Sequence, residues 1–281
     1  MPYSHAGEIG DVWKHLPLCE MLGFEKPKRY FETNSASAKH SLPNDSRKEY
    51  GVFHLMSRAA SPVLDGKYFD VLRSADTLNS RIYLGSPAQA MKILSDEAVY
   101  FFHDIEQMPL HDIRDFAISV GLADRVNTVC GDSISAFLDG GYEFTSSDLV
   151  FIDPYQPFDA NASGQNYFDV FTKAYTSQSK TVLWYGYDSI KGKQAIAGKL
   201  RRIREAFDCG AIYTFDIWQR CMGYDGCARN PGVPGCGLAI AHLSEASIAK
   251  TGELLRCVED IYKEVLYNGS AAPISTDHSI I

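Results

Sequence analysis

Several features that would assign this chain to a particular class are missing from its sequence. Among its 281 residues, no apolar run reaches the roughly 18 residues needed to span a bilayer. The segment from Met1 to Trp13 lacks the basic start and apolar core of a secretory signal, so we expect a cytoplasmic protein without a membrane partner. The cysteines are odd in number and scattered, which favours reduced thiols over a disulfide framework.

Paired cysteines with the spacing of a zinc site are also absent. Cys221, Cys227 and Cys236 share a Gly- and Pro-rich segment, but no two of them stand in a Cys-x2-Cys arrangement. We therefore expect free thiols in this segment and predict no metal site.

An excess of basic residues is missing as well. The formal net charge is −8, and Lys and Arg supply most of the affinity that proteins have for phosphate backbones. A local basic face could still bind RNA. One candidate is a predicted helix at 191–207, although a solvated helix surface is the alternative; its basic residues are Lys191, Lys193, Lys199, Arg201, Arg202 and Arg204.

Segments with strand and helix patterns alternate along most of the chain. The apolar and aromatic runs that predict strands are at 29–34, 99–104, 126–130, 149–152 and 181–185. Helical periodicity fills the spaces between them, and the runs at 212–219 and 237–242 fit a closing antiparallel pair. This alternation predicts an α/β protein with a doubly wound, mostly parallel sheet and an antiparallel edge. We expect seven strands.

Breaks in this pattern suggest the domain organisation. Pro43 and Pro62 interrupt the strand–helix alternation, and helical patterns surround them. We therefore expect a core formed by 1–42 and 81–266, an inserted helical subdomain at 43–80, and a loose tail at 267–281.

The strand at 149–152 ends in Asp153 and Pro154. A continuous apolar run suits a central strand buried on both faces, and proline cannot continue the ladder. Asp153 should therefore lie at the carboxyl edge of the sheet, where open α/β folds bind their ligands. The alternative for Asp153 alone is an ordinary turn or cap residue.

Two other predicted strands also end near acids, Asp104 and Asp132, and the first ends in small residues at 35–38. Small side chains allow the backbone to approach a ligand closely. Carboxylates at neighbouring strand ends can accept hydrogen bonds from a ribose and face a reacting group. Together, in this order, these features indicate a methyltransferase that uses S-adenosyl-L-methionine, although each acid alone could be a surface cap.

Four motifs resemble those of the bacterial adenine-N6 methyltransferases of large-subunit (23S) ribosomal RNA. His5-Ala6-Gly7 with Asp11-Val12-Trp13-Lys14-His15 is similar to the H-A-G…D-V-x-K-H signature of that family. The runs Tyr30-Phe31-Glu32-Thr33, Leu84-Gly85-Ser86-Pro87 and Val150-Phe151-Ile152-Asp153-Pro154 resemble its Y-L-D-T, P-G-S-P and D-P-P-Y regions. The resemblance spans about residues 5 to 243 and implies a Rossmann-like class I methyltransferase fold.

The resemblance also implies roles for individual residues. Asp153 would be catalytic. Cofactor contacts would come from Lys14, His15, Thr33, Asn34, Ser86, Asp104, Asp132 and Ser133. Substrate contacts would come from Tyr3, His5, Pro154, Tyr155 and Gln156.

The chain departs from the family pattern mainly where a nucleobase would bind. Tyr155 stands at the second proline of the D-P-P-Y motif, and Gln156 stands at its tyrosine. Asn34 replaces the histidine after the strand-one threonine, and the glycine-rich character of the following loop is lost. The expected reaction is N-methylation of an amino group, by resemblance adenine N6 in ribosomal RNA. The alternatives are methylation of a small metabolite amine or hydroxyl, and a non-catalytic module that binds the cofactor or RNA.

Overall fold

The computed structural model describes residues 5–58, 65–223 and 231–281. Its main feature is an eight-stranded sheet. The strands of this sheet are β1 (Arg29–Glu32), β4 (Val99–Asp104), β5 (Val126–Cys130), β6 (Asp148–Ile152), β7 (Lys180–Tyr187), β8 (Ile212–Gln219), β9 (Gly235–Ala241) and β12 (Ile274–Ile280). Two short ladders stand apart from it, one of β2 (Lys39–Ser41) with β3 (Ile82–Leu84) and one of β10 (Leu266–Tyr267) with β11 (Ser270–Ala271).

Helices connect the strands and cover both faces of the sheet. They are α1 (Ile9–Glu25), α2 (Ser46–Lys48), α3 (His54–Ser57), α4 (Lys67–Ser74), α5 (Thr77–Ser80), α6 (Ser86–Leu94), α7 (Gln107–Ser119), α8 (Ser133–Asp139), α9 (Tyr167–Thr176), α10 (Ile190–Phe207) and α11 (Glu245–Ile261). A π-helical segment, Glu49–Phe53, joins α2 to α3. None of the helices in the described part of the chain is long and apolar enough to cross a membrane.

The strand order in the main sheet is β12-β8-β9-β7-β6-β1-β4-β5. The pairs from β5 to β7 are parallel, whereas β9 is antiparallel to both β7 and β8. The chain starts near the middle of the sheet, extends to the β5 side, and then returns to build the other side from β6 onward. The loops after β1 and β6 therefore diverge at a topological switch point, where open α/β sheets form ligand crevices.

Buried apolar side chains lie on both sides of the sheet. One cluster packs α1, α6, α7 and α11 against it and includes Trp13 and Phe102. The second packs α8, α9 and α10 on the opposite face and includes Phe31 and Phe171. Every residue of β6 is buried, which fits the prediction of a central strand covered on both faces.

The C-terminal segment differs from its prediction. The tail was expected to be loose, but Ile274–Ile280 forms β12, which pairs antiparallel with β8 along its whole length. The sheet therefore has eight strands rather than seven. The pattern gave little sign of this because β12 is an edge strand with mainly polar, exposed side chains, and only Ile274 is fully buried.

The inserted segment is helical, as the sequence indicated, in its described part. Its helices pack on α1, and residues such as Leu55, Tyr68 and Leu72 belong to the same apolar cluster as α1 itself. Lys48, which is 1% exposed, reaches out of this segment to donate a hydrogen bond to Glu8 at 2.7 Å. The segment therefore shares its core with the rest of the fold.

Among the cysteines that the structure describes, Cys221 differs from the others. Cys19, Cys130, Cys209, Cys236 and Cys257 are free thiols. Cys221 is disulfide-bonded, so the expectation of reduced thiols is wrong at that position. Cys227 lies outside the described residues. No group of three His, Cys, Asp or Glu side chains within the described residues could hold a metal ion.

Candidate active site

A cavity of about 1010 Å³ opens at the carboxyl edge of the sheet. It lies between the start of α1, the loops after β1, β4 and β6, and the start of α8. The lining includes most of the residues singled out in the sequence, namely His5, Lys14, His15, Thr33, Asn34, Ser86, Asp104, Asp132, Ser133, Asp153 and Tyr155. The structure thus brings together residues that are up to 150 positions apart in the chain.

Lys14 and Asp153 form the centre of this cavity. Lys14 Nζ lies 2.8 Å from Asp153 Oδ2 and 3.0 Å from Asp11 Oδ1, and the side chains of Lys14 and Asp153 are only 12% and 6% exposed. The backbone N–H of Asp153 donates to Thr33 Oγ1 at 3.1 Å, which ties the tip of β6 to the end of β1. Asp153 Oδ1 is buried without a hydrogen-bond partner among the described residues. This oxygen is an acceptor available to a ligand.

Burial and charge have opposite effects on the carboxylates of this cluster. Burial raises the pKa of Asp153 to about 6, although the nearby Lys14 ammonium counteracts the rise. For Asp11, burial would raise the pKa, but the charge of Lys14 and the hydrogen bond that it donates act against burial, and the pKa is lowered to about 2. The two carboxylates together raise the pKa of Lys14 above its ordinary value despite its burial. At neutral pH, Lys14 is therefore a cation between two carboxylates.

The loop after β1 approaches the cavity with its backbone. Ala36 has a φ of +51°, in the left-handed region that residues other than glycine seldom adopt. Its N–H donates to Asp104 Oδ2 at 2.9 Å, and the N–H of Glu106 donates to Asp104 Oδ1 at 2.8 Å. These bonds offset the strain of the turn and fix the carboxylate at the tip of β4. An alanine here performs the task for which glycine is the usual choice.

Asn34 and Thr33 precede this turn and also line the cavity. Asn34 Nδ2 donates to Tyr167 Oη at 2.9 Å, whereas Asn34 Oδ1 is buried without a partner among the described residues. Asn34 therefore presents an acceptor, as Asp153 does.

Asp132 lies at the cavity wall as the N-cap of α8. Its carboxylate accepts hydrogen bonds from the N–H groups of Ile134 and Ser135. Asn161 Nδ2, from the loop after β6, donates to Asp132 Oδ2 at 3.1 Å. These hydrogen bonds lower the pKa of Asp132, although burial opposes them. Asp132 thus fills the cap role that the sequence left open as an alternative, while it also lines the cavity.

His15 and Ser86 close the cavity on the side of α1 and α6. His15 Nδ1 lies 2.6 Å from Tyr83 Oη, and its Nε2 is buried without a partner in the described part of the chain. Burial lowers the pKa of His15 to about 3, so its ring is neutral. If Tyr83 donates to Nδ1, the proton lies on Nε2, which then offers a donor.

Ser86 donates through Oγ to Glu32 Oε1 at 2.5 Å, and Tyr30 donates to Glu32 Oε2 at 3.0 Å. Glu32 is completely buried. Burial raises the pKa of this carboxyl to about 8, and the charge of Asp153 adds to the rise. A protonated Glu32 therefore lies beside an ionised Asp153 at neutral pH.

The predicted substrate residues fall into three groups. His5 and Tyr155 line the cavity, at its mouth and beside Asp153. The side chains of Pro154 and Gln156 are not part of the lining, so the structure does not bring them to the site. Tyr3 lies outside the described residues.

Several lining residues were missed in the sequence. Asp11 was quoted only as part of a motif, and its spacing of three from Lys14 on one helix was the available signal. Nothing local marks Asn161 or His40, because it is the fold that brings the loop after β6 and the short strand β2, which carry them, to the cavity. Trp184, on β7, is 8% exposed and lines the cavity, and Lys14 Nζ lies 5.1 Å from its ring centroid.

The whole chain is similar in fold to proteins of known structure. Protein LPL1258 from Legionella pneumophila, of family DUF519, is 21% identical with a TM-score of 0.71, over 97% of this chain and 98% of that one. An O-methyltransferase from Bacillus cereus in complex with SAH (13% identity, TM-score 0.41, covering 81% and 80%) and TomG from Streptomyces achromogenes in complex with SAM (15%, 0.39, 81% and 79%) are more distant. No protein-family model and no curated protein matches the chain.

At these identities the similarity defines the fold. The α/β architecture and the mostly parallel sheet with an antiparallel edge that the sequence predicted are confirmed.

Proposed function

We propose that this protein is an S-adenosyl-L-methionine-dependent methyltransferase that methylates an amino group. One observation supports it most strongly. The acid at the tip of β6, Asp153, faces a cavity at the switch point of the sheet and is paired there with Lys14 from the first helix. The expected fold and the resemblance of the motifs both lead to the same reaction.

The chemistry of the lining fits the cofactor. S-adenosyl-L-methionine supplies an electrophilic methyl group on a sulfonium and carries a ribose, an ammonium and a carboxylate. Asp104 lines the cavity, and backbone N–H groups hold its carboxylate in place, so it is positioned to accept a hydrogen bond from a ribose. The unpartnered Asn34 Oδ1 and His15 Nε2 are buried polar atoms that a polar ligand would satisfy. The residues present therefore fit this group.

Asp153 is the proposed catalytic residue. An exocyclic amine is a poor nucleophile while its lone pair is delocalised into the ring. The carboxylate of Asp153, together with the carbonyl at the Asp153–Pro154 link, can accept both N–H groups and direct the lone pair toward the methyl group. Lys14 keeps this carboxylate ionised and fixes Oδ2, which leaves Oδ1 to accept. Catalysis on these terms is positioning plus electrostatics.

We propose adenine N6 in ribosomal RNA as the acceptor, on the strength of the motif resemblance. The rings of Tyr155 and Trp184 lie at the cavity wall beside Asp153, with their centroids 6.3 Å apart. These two aromatic side chains support the proposal of an aromatic acceptor. Part of the basic face of α10 is already neutralised, because Lys193 pairs with Asp277 and Arg204 with Asp208. Methyl transfer to RNA must therefore be measured directly.

The test combines calorimetry of cofactor binding with methyl transfer to ribosomal RNA, free nucleosides and small amines. We expect transfer to RNA and a loss of at least about 100-fold in kcat for Asp153→Asn, with little change in cofactor affinity. Asp208→Asn is the matched control, because Asp208 is an exposed carboxylate at the end of α10. Normal turnover by Asp153→Asn would refute the catalytic assignment. Transfer only to small amines would identify a metabolite enzyme, and tight cofactor binding without any transfer would identify a binding module.

A further inference from the structure

Tyr155 lies on the outer wall of the cavity, next to the proposed catalytic residue. Tyr155 is 42% exposed, and its ring contacts the ring of Trp184 in a tilted arrangement. Because Tyr155 is only two residues beyond Asp153, its ring belongs to the part of the cavity that would receive the acceptor. An exposed aromatic ring needs neighbours that hold it in one orientation if it is to serve as a binding surface.

The ring of Tyr155 packs directly against Gly186 on β7. A Cβ atom placed on Gly186 would lie 2.4 Å from Cε2 and 2.5 Å from Cδ2 of Tyr155, which is far inside van der Waals contact. The N–H of Gly186 also donates to the carbonyl of Tyr155 at 2.8 Å. The ring therefore rests directly on the backbone of the strand. Any side chain at position 186 would displace it.

Asp188 fixes the other end of the same ring. Tyr155 Oη donates to Asp188 Oδ1 at 2.6 Å. Trp184 and Gly186 are two residues apart on β7 and therefore share one side of the strand, and Asp188 follows directly after the strand ends. Tyr155 thus contacts an aromatic ring, a glycine backbone and a carboxylate.

We propose that Gly186 and Asp188 are positioning residues that hold Tyr155 as the platform for the planar ring of the methyl acceptor. The proposal rests on the proposed function and extends it to residues that do not themselves contact the acceptor. Stacking of a base on an aromatic side chain contributes roughly 1–3 kcal/mol. A displaced platform should therefore weaken acceptor binding and leave the cofactor end of the cavity intact.

The experiment measures KM and kcat for RNA, and S-adenosylhomocysteine binding by calorimetry, in a set of variants of the full chain. Gly186→Ala should raise the KM for RNA about 10-fold, within the range of stacking free energies. Asp188→Ala should raise it about 3-fold, because Asp188 is exposed and its bond with the phenol is partly solvated. The affinity of both variants for S-adenosylhomocysteine should stay within about 2-fold of that of the unmodified protein, because these substitutions affect only the stacking of the acceptor ring.

A double-mutant cycle separates positioning from a general structural defect. In a Tyr155→Ala background, Gly186→Ala should cause no further change in KM, because the ring that it displaces is gone. Gly198→Ala is the matched control; it lies on α10, where an added Cβ has only ordinary contact with Arg202.

Three results would overturn the proposal. One is an unchanged KM in both Gly186→Ala and Asp188→Ala, and another is an equal effect of Gly186→Ala with and without Tyr155. In either case the proposed function would stand. An absence of methyl transfer to RNA by the unmodified protein would refute the proposed acceptor, and the platform with it.

Discussion

The two ends of the cavity are held in place by different kinds of contact. At the end formed by the loops after β1, β4 and β5, backbone N–H groups bind the carboxylates of Asp104 and Asp132, mostly within a few residues. At the end formed by α1, β6 and β7, side chains bind one another across long stretches of sequence. Lys14 and Asp153 are 139 residues apart, and Tyr155 and Asp188 are 33 apart.

This difference has a consequence for specificity. Backbone hydrogen bonds hold a turn in one conformation whatever the neighbouring side chains are, so the first end suits a ligand common to many enzymes. Side-chain pairs depend on the identity of both partners, so the second end can change with the acceptor. Among the departures of this chain from the motifs that it resembles, Tyr155 and Gln156 lie at or beside the second end, whereas Asn34 lies in the loop after β1, at the first end.

Among the substitutions proposed, the removal of Lys14 should have the largest effect on the end of the cavity formed by α1, β6 and β7. Lys14→Met leaves Asp11 and Asp153 buried without their shared cation. Breaking a buried pair costs roughly 3–5 kcal/mol, and we expect a loss of about 3 kcal/mol in the free energy of unfolding. Methyl transfer should fall at least about 100-fold, because the carboxylate is no longer held in place. Urea unfolding and turnover measurements test this, with Lys199→Met on α10 as the control. An unaltered free energy of unfolding would show that the two carboxylates tolerate each other without Lys14.

Substitution of Asp104 should affect the backbone-held end alone. Asp104→Ala removes the acceptor for the N–H groups of Ala36 and Glu106, and Ala36 then keeps its left-handed conformation without support. We expect the Kd for S-adenosylhomocysteine to rise about 30-fold, equivalent to roughly 2 kcal/mol and within the cost of leaving buried groups unpaired. Calorimetry measures this change. Asp112→Ala is the control, since Asp112 accepts only one exposed backbone bond, from Lys39. A raised KM for the acceptor together with normal S-adenosylhomocysteine binding would contradict the separate roles of the two ends of the cavity.

The pH dependence of methyl transfer should report on Asp153. Its carboxyl must be ionised to accept an N–H, and burial raises its pKa to about 6. The rate at subsaturating acceptor should therefore be level above this pH and fall by about 10-fold for each pH unit below it. Initial rates between pH 5 and 8 test this, together with cofactor binding at the same pH values. A rate that stays constant down to pH 5 would show that the carboxyl titrates lower, or that its charge is not needed.

Glu32 lies between the two ends of the cavity, and its substitution should have the smallest effect on methyl transfer. Burial raises its folded pKa to about 8 from the ordinary 4.5, so folding takes up a proton between these values. The contribution of Glu32 to the stability of the unmodified protein should therefore decrease from pH 5 to pH 8. Glu32→Gln cannot titrate, and we expect its free energy of unfolding, relative to the unmodified protein, to be about 3 kcal/mol more favourable at pH 8 than at pH 5. Urea unfolding at both pH values measures this difference. If the difference in the free energy of unfolding between Glu32→Gln and the unmodified protein is the same at pH 5 and pH 8, Glu32 is already ionised in the folded protein.

Much of the fold could be predicted because its signals are local. The apolar run of β6 ends in Asp-Pro, and that pattern alone places Asp153 at the edge of the sheet. The tail lacks such a signal, because β12 is polar and owes its strand conformation to hydrogen bonds with β8. Gln156 was chosen as a site residue from its position in a motif. Its side chain nevertheless misses the cavity, since the turn after Pro154 directs Tyr155 there instead.

The sequence by itself determined every strand of the sheet except β12, together with the acids that follow them, since alternation, apolar runs and prolines act over a few neighbouring residues. Only the tertiary structure decided how those acids are used. The pairing of Lys14 with Asp153, the burial of Glu32 beneath Ser86, and the seat of Tyr155 on Gly186 each join residues from different elements. Their distances follow from how the helices and strands pack, which no short stretch of sequence encodes.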